Sequence, residues 1–244
     1  MSERSVVPWR WRALSLAKRG NRADEIEDAW AAGENTGRFA IADGVTDSIF
    51  SNVWARLLVD RFVAEPPSDA VPWTDWLATP REAWHRDVHQ RQLPWYAEHK
   101  LSTGAAATFV GLQVRSDGTW DAVAVGDACL LQLRDRQLLK TFPIEQSSAF
   151  NNRPAVIRSN PQTEESLVAR TSGKWQTEDV FVLATDALAQ CLLVEQERDG
   201  SAQNAIVQLI SAAGDVSLVE GALNALRDSR HLRNDDVTLL VINV

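Results

Sequence analysis

The chain of 244 residues is poor in thiols, in basic charge and in long apolar runs. Its two cysteines, Cys129 and Cys191, lie far apart in the apolar contexts ACLLQL and LAQCLL and form no CxxC motif. They read as buried thiols of a reducing compartment, and a core of this size needs no disulfide staples. No segment approaches the ~18 consecutive apolar residues that span a bilayer. The opening segment MSERSVVPWRWR carries charge and lacks the apolar stretch of a signal peptide. No membrane partner is expected, and the expected address is cytoplasmic. Lys and Arg number 25 against 33 Asp and Glu, a net charge of −8. A nucleic-acid groove needs clustered basic side chains, so nucleic acid is excluded as the main partner. The balance suits a protein that gathers cations. No repeat, low-complexity tract or Gly/Ser linker divides residues 1–244, which read as one domain. Ten tryptophans against one tyrosine carry no functional reading.

What is present alternates between the periods of strand and helix. Residues 5–16 alternate as a half-buried strand, and RFAIA (38–42) is a short strand that stops at Asp43-Gly44. Phe50, Val53, Trp54, Leu57, Leu58 and Phe62 then follow helical spacing, with Asp47 or Ser48 as cap and Pro66-Pro67 as the stop. Residues 73–99 read as a helix in two pieces broken near Pro80, with Trp73, Trp76, Leu77, Trp84 and Val88 facing inward. From residue 104 the texture is β: AAATFVGLQV, WDAVAV, ACLLQL and QLLKTF predict a meander of antiparallel strands. Residues 143–178 are polar and long for a plain connection, and read as a surface excursion near a site. VFVLA (180–184) is a strand, helical patterns follow to about Leu226, and VTLLVINV closes the chain as a buried strand. The fold class is α+β.

The acids carry the chemistry. Asp43 follows FAIA, Asp127 follows VAVG and Asp186 follows FVLAT, while Glu27-Asp28 and Asp235-Asp236 immediately precede strands. Carboxylates at strand ends sit at the margin of the core, where desolvation penalises their charge unless a cation neutralises it. Oxygen donors without Cys or His suit Mg2+, Mn2+ or Ca2+. Each Asp taken singly also suits a turn or a cap, and periodicity leaves open whether they meet.

In order along the chain, KRGNRADEIEDAW, FAIADGV, STGAAATFV, AVAVGDACLLQL, FVLATDAL and NDDVTLLVI cover about residues 14 to 243. This series resembles the PPM (PP2C-type) metal-dependent serine/threonine protein phosphatases in a compact bacterial form. The resemblance implies a four-layer α-β-β-α sandwich of two antiparallel sheets flanked by helices, with a two-metal centre at one end. It implies that Asp43 bridges two Mn2+ or Mg2+ ions, with Asp186 and Asp235 on the first ion. Glu27, Asp28 and the Gly44 carbonyl would hold the second, and Asp127 matches an Asp linked to a weaker third metal. Two ions roughly 3.5–4 Å apart activate a water for in-line attack on phosphorus. The implied partners are phosphorylated proteins, including substrates of a serine/threonine kinase.

Several positions depart from the family pattern. A phosphate monoester carries about −1.5 to −2 charge and needs a basic contact besides the metals. The family's Arg position is Ala23 here, which leaves Arg22 and Arg19 as the candidate phosphate ligands. Val45 stands where eukaryotic relatives often have a His linked to protonating the leaving group. Gln190 replaces an Asp common in relatives that hold a third metal, so two tightly held ions are expected. Asp236 stands where the family often has Asn.

Rival readings fail on single residues. His85 and His89 have the i, i+4 spacing of a helical zinc motif, yet Arg86 occupies the position of its Glu. Asp43-Gly44 echoes the DxDG loop of aspartyl-phosphate phosphatases, but Ile41 stands at the nucleophile position. STGAAA (102–107) lacks the GK[ST] of a P-loop. The alternative that survives is a catalytically weak pseudophosphatase acting as a phosphoprotein-binding regulatory module. Acids retained at 28, 43, 186 and 235 argue against it.

Overall fold

The computed structural model describes residues 9–68, 70–91, 101–135, 137–161, 167–199 and 215–244. Its central strands are apolar on both faces because each sheet is covered on both sides. In β3 (Arg38–Gly44), Phe39 and Ile41 face the opposite sheet while Ala40 and Ala42 face helices. The split recurs in β4 (Ala106–Val114), β10 (Val180–Ala184) and β11 (Val237–Asn243). Leu112, Phe181, Leu183 and Leu240 meet between the sheets, whereas Phe109, Val182 and Leu239 turn towards helices.

One sheet runs β1 (Arg10–Leu16), β11, β10, β6 (Cys129–Arg134) and β7 (Gln137–Phe142). The other runs β2 (Ala29–Gly33), β3, β4, β5 (Thr119–Val125) and β9 (Ala169–Lys174), with the short β8 (Ile157–Arg158) also paired to β4. All these pairings are antiparallel. Helices α1 (Ser51–Ala64) and α2 (Trp73–His89) cover the second sheet through Trp54, Leu58, Phe62, Trp76 and Trp84. Helices α3 (Asp186–Asp199) and α4 (Val216–Asp228) cover the first through Leu188, Leu192, Val219 and Leu223. The layers are helix, sheet, sheet, helix, as the resemblance implied. Trp54, Trp76, Trp84 and Trp120 are among the largest fully buried side chains, so part of the tryptophan excess serves packing. Cys129 and Cys191 are free and buried. Among the described residues no helix is long and apolar enough to cross a membrane.

Four local expectations are corrected. Pro80 lies inside one continuous α2, its missing N–H tolerated because Trp73, Trp76, Leu77, Trp84 and Val88 are buried on either side of it. The strands after residue 104 are two hairpins, β4-β5 and β6-β7, belonging to different sheets. The chain passes between the sheets at Gly126-Asp127-Ala128, where Gly126 takes φ 94° and a Cβ would lie 2.5 Å from the Ala155 carbonyl oxygen. Neither Asp47 nor Ser48 caps α1: Phe50 precedes it in the left-handed region. Ser48 Oγ instead donates to the Val45 carbonyl (2.8 Å) and accepts from the Ala106 N–H (3.1 Å). Finally, the excursion at 143–178 includes β9, a polar edge strand on β5. Residues 162–166 of that excursion lie outside the described residues. So do 5–8 of the expected first strand and 92–99 and 200–214 of the expected helices.

Candidate metal centre

Strand register delivers the acids. Asp28 immediately precedes β2, whose Ala29 pairs with Ala42, so Asp28 enters beside Asp43 at the end of β3. Asp186 follows β10 and Asp235 precedes β11; Ala184 pairs with Leu239, and the Thr185 N–H donates to the Thr238 carbonyl at 3.1 Å. Both acids therefore leave the first sheet at the same end. Asp127 lies in the passage between the sheets.

The charges of these side chains act on one another. Asp43 titrates well above the ordinary carboxylate range because of burial, reinforced by Asp28, Asp186, Asp127 and Asp235. Burial pushes Asp28 up to about 8, with Asp236 and Asp186 adding to it and the Thr238 and Thr185 hydroxyls tempering it. Asp127 is pushed up to about 7 by burial and then by Asp186. Asp235 is raised by burial and by Asp186, against the pull of Arg233 and Lys18. Mutual shifts of this kind require close neighbours in a poorly solvated place. Asp28, Asp43, Asp127, Asp186 and Asp235, distant in sequence, share one end of the sandwich.

A polar scaffold orients them. Glu27 accepts from the Thr46 and Ser51 hydroxyls, both at 2.6 Å, with Lys18 Nζ 3.6 Å away. A Cβ at Gly44 would lie 2.7 Å from the Glu27 carbonyl oxygen and 2.9 Å from Ser51 Cβ, so only glycine lets the approach to β2 lie this close. Asp236 accepts from the Lys18 N–H (2.8 Å) and the Glu27 N–H (2.9 Å), tying that approach to the base of β11. Arg227 of α4 donates to the carbonyls of Ala17 (3.1 Å) and Asp235 (2.6 Å). Arg233 pairs with Asp186 and, at 3.3 Å, with Asp235. Sequence reasoning missed the roles of Asp236, Arg227 and Arg233; only the doubled Asp and the basic residue just before it were visible signals.

Arg19 and Arg22 are not brought to the acids. Arg19 pairs with Asp228 (2.7 Å) and donates to the Asn224 carbonyl (3.0 Å). Arg22 pairs with Asp24 (3.1 Å) and Glu25 (3.7 Å) on the surface. Immediately beyond Gly44 a cavity of about 440 Å³ opens, walled by Val45, Ser48 and Ile49 on one side and Arg153, Pro154 and Val156 on the other.

The donors fit hard divalent cations in kind. Both carboxylate oxygens of Asp28 and Oδ1 of Asp127 are buried with no hydrogen-bond partner of normal geometry, a costly state that a bound cation would relieve. All the donors are oxygens, the preference of Mg2+ and Mn2+. Among the described residues no three acids stand ready around one point, and Asp186 and Asp235 turn to Arg233 instead.

No protein-family model matches the chain, and no curated protein matches it. Solved structures do. PppA, a key regulatory component of T6SS in Pseudomonas aeruginosa, is 17% identical with a TM-score of 0.63, covering 98% of each chain. The Mycobacterium tuberculosis serine/threonine phosphatase PstP/Ppp is 17% identical with a TM-score of 0.62, covering 98% of this chain and 99% of that one. The catalytic domain of serine/threonine phosphatase PstP in complex with two manganese ions is 18% identical with a TM-score of 0.59, covering 97% and 98%. At such identities the likeness concerns the backbone, and over nearly its whole length the chain has the fold of the PP2C-type serine/threonine phosphatases.

Proposed function

We propose that the chain hydrolyses phosphoserine and phosphothreonine monoesters on proteins with the help of two Mn2+ or Mg2+ ions. The observation that carries this reading is the delivery of Asp28, Asp43, Asp127, Asp186 and Asp235 to one end of the sandwich by strand register, where burial and neighbouring carboxylates raise Asp28, Asp43, Asp127 and Asp235. Asp43 would be shared between the ions, with Asp186 and Asp235 on one side and Asp28, Glu27 and the Gly44 carbonyl on the other. Asp127 would serve a weaker third site. A bound pair supplies Lewis-acid charge and a water that ionises near neutral pH. The chain does the rest. Its acids release their protons as cations load, the Thr46 and Ser51 hydroxyls aim Glu27, and Asp236 and Arg227 hold the backbone of residues 17–27 and 235. Arg19 and Arg22 are the candidates for the outer phosphate oxygens, each of which must leave an acidic partner to serve. The cavity past Gly44 suits the polypeptide flanking the phosphorylated residue. Free, buried Cys129 and Cys191 support a cytoplasmic setting.

Val45 offers no proton to a leaving alkoxide. Turnover of p-nitrophenyl phosphate, whose leaving group needs none, should therefore exceed that of phosphoserine peptides. With Mn2+ the protein should hydrolyse p-nitrophenyl phosphate, and EDTA should abolish it. Asp186→Ala should lower turnover by more than about 100-fold with the circular dichroism unchanged, since even partners one shell further out cost up to that much. EDTA-insensitive turnover or a fully active Asp186→Ala overturns the reading. A protein that neither binds Mn2+ nor turns over is the phosphoprotein-binding module, which the Arg233 pairing with Asp186 and Asp235 favours.

A further inference from the structure

The acids at the centre are neutralised unequally. Asp28 and Asp127 keep buried oxygens without a hydrogen-bond partner of normal geometry, whereas Asp186 and Asp235 both lean on Arg233. Arg233 lies in the connection from α4 to β11, one residue from Asn234, whose side chain accepts from the Arg19 N–H at 2.8 Å. Its side chain is 45% exposed, so it has room to swing outwards. The other nearby cations are committed elsewhere: Lys18 faces Glu27, and Arg227 is buried against the Ala17 and Asp235 carbonyls. A guanidinium presents a planar fork that can serve two carboxylates at once, and it stays charged throughout the physiological range. Asp186 and Asp235 are also the two acids that would hold the first ion. A cation already seated on them competes with that ion for the same oxygens and repels it.

Resting on the two-metal reading above, we propose that Arg233 is the resident counterion of the centre. It neutralises Asp186 and Asp235 while no ion is bound and must release them for metal to load. Arg233 thereby sets the threshold of divalent cation at which the protein becomes active.

The test uses the full chain and its Arg233→Ala, Arg233→Gln and Arg233→Lys variants, with calorimetric titration of Mn2+ and thermal melting in EDTA and in saturating Mn2+. Arg233→Ala and Arg233→Gln should bind Mn2+ roughly three- to tenfold more tightly, the scale set by a partly exposed ion-pair network. In EDTA both should melt a few degrees below wild type, because Asp186 and Asp235 lose their only cation in direct contact among the described residues. In saturating Mn2+ they should melt with wild type. Arg233→Lys, a point charge without the fork, should fall between. A purely structural role would lower melting in both conditions. Equal Mn2+ affinity in wild type and Arg233→Gln, or destabilisation that persists in Mn2+, overturns the counterion while leaving a metal-dependent hydrolase standing. Absence of Mn2+ binding in every variant overturns both.

Discussion

Asp28 concentrates the energetic problem of the centre in one side chain. It is 8% exposed, its two oxygens lack hydrogen-bond partners of normal geometry, and the charges of Asp236 and Asp186 act on it. An ionised carboxylate in that position is costly, so the group keeps its proton until a cation replaces it. Asp28→Asn exchanges one neutral, nearly isosteric group for another. In EDTA at pH 6 the variant should therefore melt close to wild type. Mn2+ at a hundredfold excess over its dissociation constant should raise the wild-type melting temperature by roughly 5–10 °C. In Asp28→Asn that rise should shrink to less than half, as differential scanning calorimetry would show. A full rise in the variant removes Asp28 from the ligand set.

At the scale of elements, the position of α1 against β4 decides where the end of β3 lies. Gly111 pairs with Ala40 and Val123 in the middle of β4, and a Cβ there would come within 2.5 Å of the Phe62 ring. That close seat brings Ser51, the first residue of α1, against Gly44 at the centre. Gly111→Ala gains about 0.4–1 kcal/mol from a less flexible unfolded chain. Overpacking against the ring costs about 1–3 kcal/mol, so the net effect should be destabilising. Adding Phe62→Leu should restore part of the loss, with a coupling of at least about 0.5 kcal/mol in urea midpoints. The main strands and helices were legible in the sequence because periods of 2 and 3.6 record which faces are buried, and the expected inward residues of α2 are all buried. Pro80, the passage at 126–128 and β9 were not. Partners remote in sequence settle the first two, and a polar edge strand such as β9 carries no apolar alternation to read.

For the whole molecule, the site was legible only through the order of its motifs. Each Asp alone resembles a turn cap, and their meeting depends on the register of β2 with β3 and of β10 with β11. The role of Asp236 escaped notice because its work is a tether to Lys18, 218 positions away, and that of Arg233 because it acts through acids on other elements. The convergence makes the metal-free fold depend on protons. Asp28 titrates near 8 and Asp127 near 7, against an ordinary 3.8, so the folded chain binds more protons than the unfolded one across that interval. Stability from these groups is fully present below pH about 4 and is lost as the pH rises to about 8. Asp179 works in the opposite sense: burial raises it, yet its bonds to Arg134 and Gln176 hold it below the usual range, so it costs stability only on acidification below about 4. In EDTA the melting temperature should therefore fall from pH 5 to pH 8. Cation binding strengthens as ligands lose protons, so Mn2+ should flatten or reverse that slope. Scanning calorimetry at pH 5, 6.5 and 8 separates the two cases, and parallel slopes with and without Mn2+ would mean that cations do not take the place of the protons.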